Sequence, residues 1–242
     1  MRVRTSVCAA VVGLVALGGC SDAGSAPARG VASDPASAGP PTAISDASDP
    51  AAETTVVERV IPADFPLASG WPRRAGEPSY PGLEGPSREL PPFKFSACHR
   101  SFEELPYLDR LTAHWTDIED FRGRQLTLYA NRHDASSATD RLTALFRSCK
   151  IGPLRDDRFR TEYEVLPADA GDCAWAILQR DIYEGSESPF GSTTLIVRVG
   201  AAVLVEDHGG HAGYPSGDGR ADVATMVDEA SHAIAAMARL SP

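Results

Sequence analysis

Apolar and polar residues alternate over residues 125–130, with Leu126 and Leu128 on one side and Thr127 and Tyr129 on the other. A period of two is the pattern of a strand. The period then changes. Ala138, Leu142, Leu145, Phe146 and Cys149 recur at i, i+4, i+7, i+8 and i+11, which is one face of a helix. Asp134 or Ser137 can cap its start. Residues 161–166 read as a short strand. Residues 173–180 begin apolar on both faces, which places that strand centrally in a sheet. Residues 193–199 and 201–206 read as two strands around Gly200, a tight hairpin in which glycine supplies a positive φ. A last helix spans 219–240, with Val223, Met226, Val227, Ala230, Ile234 and Met237 on its apolar face. Asp222 near its start and Arg239 near its end suit the helix dipole. The order is strand, helix, three or four strands, helix. Short connections favour antiparallel pairing. The predicted class is α+β: an antiparallel sheet with helices packed on one face.

The first part of the chain has a different texture. No aromatic residue precedes Phe65. Residues 54–97 carry Pro62, Pro66, Pro72, Pro78, Pro81, Pro86, Pro91 and Pro92, which exclude long regular elements. Ile61, Phe65, Leu67, Trp71 and Tyr80 are nevertheless apolar, so this segment reads as a proline-rich arm packing on the domain at 98–242. A short strand at 56–61 fits the same pattern. Residues 20–53 are Ala, Ser, Pro, Gly and Asp without period. Such a segment buries too little apolar area to offset its ordering entropy, and reads as a disordered stalk. In residues 1–19, Arg2 and Arg4 precede an apolar run from Val7 to Leu17. A bilayer span needs about 20 apolar residues, so the run is too short to cross and has the form of a signal peptide. Leu17-Gly-Gly-Cys20 looks like the lipobox of bacterial lipoproteins. That resemblance implies that Cys20 becomes the mature N-terminus and carries a diacylglyceryl thioether, whose two chains anchor it stably. The alternative is an ordinary cleaved signal with a chance cysteine. The expected location is the cell membrane, on its extracytoplasmic face.

Charge narrows the partners. There are 23 Lys and Arg against 33 Asp and Glu, a formal net charge of −10. No basic patch with interleaved aromatics occurs, so nucleic acid is not expected as a partner. The expected partners are the membrane through Cys20 and an envelope ligand or protein. No cofactor is expected.

Five cysteines remain to be placed. Cys8 leaves with the signal and Cys20 is lipidated on this reading. Cys98, Cys149 and Cys173 then give one bridge and one leftover thiol in an oxidising compartment. Cys98–Cys149 is the favoured pair: Cys149 ends a helix on its buried side, and Cys98 stands where the arm must be fixed to the domain. Cys173, beside Trp175, reads as a buried small hydrophobe.

Arg124-Gln-Leu-Thr-Leu-Tyr129, the helix ending in Cys149, Gly171-Asp172-Cys173-Ala-Trp175 and Val197-Arg-Val199-Gly200 follow one another in a familiar order. It resembles the extracytoplasmic domains of actinobacterial lipoproteins, some of them similar to the sensor domain of a mycobacterial Ser/Thr receptor kinase. Ile61-Pro-Ala-Asp-Phe-Pro-Leu67 also looks like a segment of such lipoproteins. The resemblance covers residues 60–240 or so and implies a helix-on-sheet domain with disulfide support. Cys173 stands where the family carries an acidic residue. The chain has no phosphate-covering Gly-rich loop and no His-Arg-Asp motif, so signalling would need a partner.

Candidate chemistry is sparse. Glu206-Asp207-His208-Gly-Gly-His211 reads first as a polar connection after a strand. It also offers His208, His211, Glu206 and Asp207 as ligands for Zn²⁺. No Gly-x-Ser-x-Gly elbow accompanies it, so it is not a serine hydrolase. Glu103, Glu104, Asp117, Glu119 and Asp120 form a carboxylate-rich set; paired carboxylates can hydrolyse glycosides where they flank a cleft, but Glu119 and Asp120, before a strand, read as solvated loop charges. His99, His114 and His133 stand singly. Trp175 and Tyr129 are candidates for lining a ligand groove, with core packing the competing role for Trp115 and Trp175. The first functional expectation is therefore a lipid-anchored, non-catalytic binding or sensing domain. A metal-assisted envelope hydrolase at His208 and His211 is the second, and a structural envelope protein the third.

Overall fold

The computed structural model describes residues 60–71, 82–117, 120–211 and 213–240. They belong to a unit that runs from Val56 to Pro242. The signal peptide, Cys20, the stalk and most of the 56–61 strand lie outside the described residues.

Nine strands are described: β1 (Gly82–Glu84), β2 (Ser96–Ala97), β3 (Arg100–Ser101), β4 (Asp109–Thr116), β5 (Asp120–Leu128), β6 (Phe159–Ala168), β7 (Cys173–Tyr183), β8 (Ser186–Val199) and β9 (Ala202–Gly210). The helices are α1 (Arg132–Arg147) and α2 (Arg220–Met237). β2 and β3 form a small hairpin; the other seven strands form one antiparallel sheet in the order β1-β4-β5-β9-β8-β7-β6. The connection through α1 carries the chain from β5 to the far edge. The meander β6–β9 then walks back until β9 pairs with β5.

The α+β class and the four strands between the helices match the sequence pattern. Three details differ. Helix α1 starts earlier, because Asn131 is its cap: the Asn131 side chain accepts the Asp134 N–H at 2.9 Å. β7 is next to the edge, not central. Its first residues are buried on both faces because a helix covers each side of the sheet, which is the third correction: the two helices do not share a face. On β8, Leu195 and Val197 pack with α2 residues Met226, Ala230 and Met237, whereas Ile196 packs with α1 residues Leu142 and Phe146. On β9, Leu204 faces α2 and Val203 faces α1. Successive strand residues point to opposite faces, so two apolar stripes on one strand require two covers. The architecture is helix, sheet, helix.

Ile61, Phe65, Leu67 and Trp71 join the α2 layer, all buried. The segment is tied down at both ends. The Ile61 N–H donates to Asp109 Oδ2 at 2.8 Å. Gly70, at φ +86°, lies so close to α2 that an added Cβ would sit 2.0 Å from the Glu229 carbonyl oxygen. Only glycine fits that contact.

Cys98 and Cys149 are bridged, as expected, with Cα atoms 5.8 Å apart. Cys173 is buried as expected, but it is not a leftover thiol: it too is disulfide-bonded. Among the described residues no helix is long and apolar enough to cross a membrane.

Candidate functional site

The strongest chemical signal in the sequence, Glu206 to His211, proves to be mostly strand. β9 runs on to Gly210, two turns of alternation past Glu206. Glu206 and His208 therefore face α2, and Asp207 faces the other side. His211 lies beyond the strand, its ring 5.6 Å from that of Phe190. The sequence cluster is thus divided among three places, which corrects the reading of a Gly-rich loop.

On the α2 side Glu206 gains partners that no local spacing announces. Its Oε1 accepts Trp71 Nε1–H at 3.0 Å and faces His208 Nε2 at 2.8 Å. Since a carboxylate only accepts, the His208 tautomer is assigned with the proton on Nε2. Glu206 Oε2 lies 2.9 Å from Arg124 Nε. The two atoms pair by charge but are not aligned as a hydrogen bond. Arg124 and Glu206 are both 0% exposed. Arg124 Nη1 donates to the carbonyls of Leu67 and Ser69, and its guanidinium stacks 4.8 Å from the Trp71 ring. Burial pushes the Glu206 carboxyl up, but the His208 hydrogen bond and the Arg124 charge outweigh it and hold the carboxyl below its ordinary range.

Glu229 of α2 completes a possible metal triad. One ligand atom each from Glu206, His208 and Glu229 lie within 4.8 Å of one another. The electrostatics oppose an ion. Arg122 Nη1 donates to Glu229 Oε2 at 2.6 Å, so each carboxylate already has its own guanidinium. A divalent cation would have to displace one of them or approach two positive groups. Calorimetric titration of the full-length chain with Zn²⁺ is expected to give no saturable heat. One ion bound per chain and lost in His208→Ala would establish a metal site.

Asp207 opens on a different environment. Beside α1 the sheet is incompletely covered, and a cleft of about 630 Å³ remains. Its floor is a block of side chains at alternating positions on neighbouring strands. Tyr163, Gln179 and Ser192 form one cross-strand row; Ile177, Thr194 and Asp207 form the next. The Thr194 hydroxyl donates to Asp207 Oδ1 at 2.6 Å. Burial raises the Asp207 carboxyl above its ordinary range, only partly offset by that hydrogen bond and by His208. Charged Asp207 therefore costs the fold stability, and the cost falls away as pH drops through its raised pKa.

Two segments wall the cleft. One is residues 152–155, where the Gly152 N–H donates to the Thr161 carbonyl at 2.7 Å. The other is residues 94–99, ending in the β2–β3 turn. The turn's two central residues, Cys98 and His99, have φ of 48° and 61°. Glycine or asparagine normally takes such positions; for other residues they cost about 1–2 kcal/mol each. The bridge to Cys149 fastens this turn to the end of α1.

Neither aromatic candidate lines the cleft. Tyr129 is buried under α1, its hydroxyl 3.5 Å from Glu104. Burial pushes that hydroxyl far above the ordinary tyrosine range. Trp175 is half-buried beneath the Arg147 guanidinium, 4.0 Å from its ring. The cleft residues Tyr163, Gln179, Ser192 and Thr194 were missed. Their signal was polar residues at every second position on the α1 face of strands otherwise apolar there.

Chemically, the cleft offers hydrogen bonds and one carboxyl. A nucleophile needs a base and the base an orienting group. Among the described residues a hydroxyl–histidine pair occurs elsewhere, Ser69 Oγ to His232 Nδ1 at 3.0 Å, on an exposed surface away from the cleft.

No protein-family model matches the chain. No curated protein matches it either. Among solved structures it is similar to the extracellular domain of PknH from Mycobacterium tuberculosis, at 9% sequence identity and a TM-score of 0.38. The match covers 52% of this chain and 65% of that one, a likeness over part of the fold.

Proposed function

We propose that the chain is a lipid-anchored, non-catalytic binding domain on the extracytoplasmic face of the cell membrane. Cys20 is its anchor, and the cleft beside α1 receives an envelope ligand. The cleft is the observation that carries this reading. Its volume of about 630 Å³ falls in the range of small-molecule sites. Its floor is polar side chains on a rigid sheet, and one wall is fastened by a disulfide. A purely structural protein has no need of such a concavity. A hydrolase at His208 and His211 would need residues that β9 directs apart.

The reading is tested on the full-length chain extracted from its own membranes. The N-terminal peptide is expected to carry a diacylglyceryl group on Cys20, read by mass. Cys20 found unmodified, or in a disulfide with Cys173, removes the anchor. Native mass spectrometry is expected to show a small noncovalent adduct that Thr194→Val and Gln179→Ala diminish. Saturable hydrolysis abolished by one substitution in the cleft overturns the non-catalytic assignment.

A further inference from the structure

The charges around the cleft are ordered, and the order specifies a ligand. This inference rests on the binding reading above. At the floor, Asp207 Oδ1 is held by the Thr194 hydroxyl, and that is the one hydrogen-bond partner of the carboxyl among the described residues. Among the described residues no cation on the same face neutralises it: His208, its neighbour in sequence, lies on the opposite face beside Glu206. A half-buried carboxylate in that condition favours a positively charged donor over a neutral one. At the rim the sign reverses. Lys94 and Arg155 both line the cleft and are exposed, and neither forms an ion pair among the described residues. Lys94 is one of only two lysines in a chain of net charge −10. A basic rim above an acidic floor disfavours a simple cation, which the rim repels. It disfavours a simple anion such as phosphate, which the floor repels. It disfavours a neutral sugar less, but a hydroxyl leaves the Asp207 charge uncompensated. A molecule with a cationic end and an anionic end satisfies both.

We propose that the cleft takes an amino acid or short peptide as a zwitterion, with its α-ammonium on Asp207 and its carboxylate toward Lys94 and Arg155. The 630 Å³ volume leaves room for more than one residue. Tyr163, its ring tilted 57° against Phe146 at 5.2 Å, and Gln179 supply an aromatic wall and an amide for the peptide unit.

Calorimetry on the full-length chain tests this with four probes: L-Ala, L-Ala-L-Ala, its N-acetyl form and its C-terminal amide. The free dipeptide is expected to bind saturably, and a comparison with L-Ala shows which length the cleft takes. N-acetylation is expected to weaken binding about tenfold, because it removes a charge-assisted hydrogen bond at a half-buried group. Amidation weakens it less, because the rim is exposed. Asp207→Asn is expected to lose the preference for the free amine while keeping the Thr194 contact. Lys94→Gln with Arg155→Gln, both exposed sites, is expected to lose the preference for the free carboxylate. That pair decides the matter if Asp207→Asn does not fold. Equal binding of all dipeptide forms, or none of any, overturns the zwitterion. Hydrogen exchange at residues 94–99 and 192–194 separates the two levels. Protection by maltose or inorganic phosphate, with none by the dipeptide, discards the zwitterion and keeps the cleft as a binding site. No protection by any probe discards both.

Discussion

Glu206→Ala is expected to lower the unfolding free energy by about 3–5 kcal/mol, the cost of leaving a fully buried charge without its partner. The charge left behind is Arg124, 0% exposed, whose guanidinium is then left with the Leu67 and Ser69 carbonyls and the Trp71 ring. Trp71 Nε1–H and His208 Nε2–H lose their acceptor in the same change. Denaturant unfolding of the full-length chain, with thermal melting alongside, reads the loss. Replacing both charges, Arg124→Met with Glu206→Leu, is expected to recover part of it, because no lone charge remains. Recovery is incomplete, since the carbonyls of Leu67 and Ser69 lose the Arg124 donor. A loss below about 1 kcal/mol for Glu206→Ala would mean that water reaches the pair. The pH dependence has a definite sign. The Glu206 carboxyl is held below its ordinary value in the folded state, so its contribution is present above that value and disappears as pH falls through the folded pKa. Acid should therefore release residues 61–71 from the α2 layer before the sheet opens, visible as early hydrogen exchange at Leu67 and Ser69.

Replacing Cys98 and Cys149 together by serine is expected to cost about 4 kcal/mol, from the loop-closure entropy of the bridged span. The two residues are 51 apart in sequence, and the loop between them contains β3, β4, β5 and α1. Unbridged, the β2–β3 turn must hold Cys98 and His99 at positive φ with only the two-strand ladder to support them. Residues 94–99 should then exchange faster, and the cleft should lose one wall. Urea unfolding gives the stability change. Unchanged exchange at 94–99 would show that the hairpin stands without its bridge.

Much of the fold was legible because it is local. The period-two runs at 125–130 and 193–206 and the period-3.6 faces of α1 and α2 state which residues must be buried, and burial chooses strand or helix. Gly200 marked its hairpin, at φ +56°. Cys98 and Cys149 paired as the helix face and the chain's entry point required. Asp134 as a helix cap failed for a local reason as well: Asn131, three residues earlier, reaches the Asp134 N–H.

What was not legible depends on which distant residues meet. Both helices looked alike from sequence, each with one apolar face. Alternation along β9 sends Val203 and Leu204 to opposite faces, but only the tertiary structure puts a different helix over each. Glu206, Asp207 and His208 are consecutive, yet one more turn of alternation sends them to opposite faces of the sheet. Arg124 lies 82 positions from Glu206 and is its counter-charge; Trp71 is 135 away and donates to it. Tyr163, Gln179, Ser192, Thr194 and Asp207 come from four strands and become one floor only through register. The sequence by itself determined the α+β class, the two helices and the strand segments, because periodicity and local entropy act within a few residues; the 51-residue Cys98–Cys149 bridge it only favoured. The tertiary structure alone decided which charges neutralise one another and where a cleft stays open. Coulombic pairing and packing depend on distance in space, and the chain order does not encode that distance.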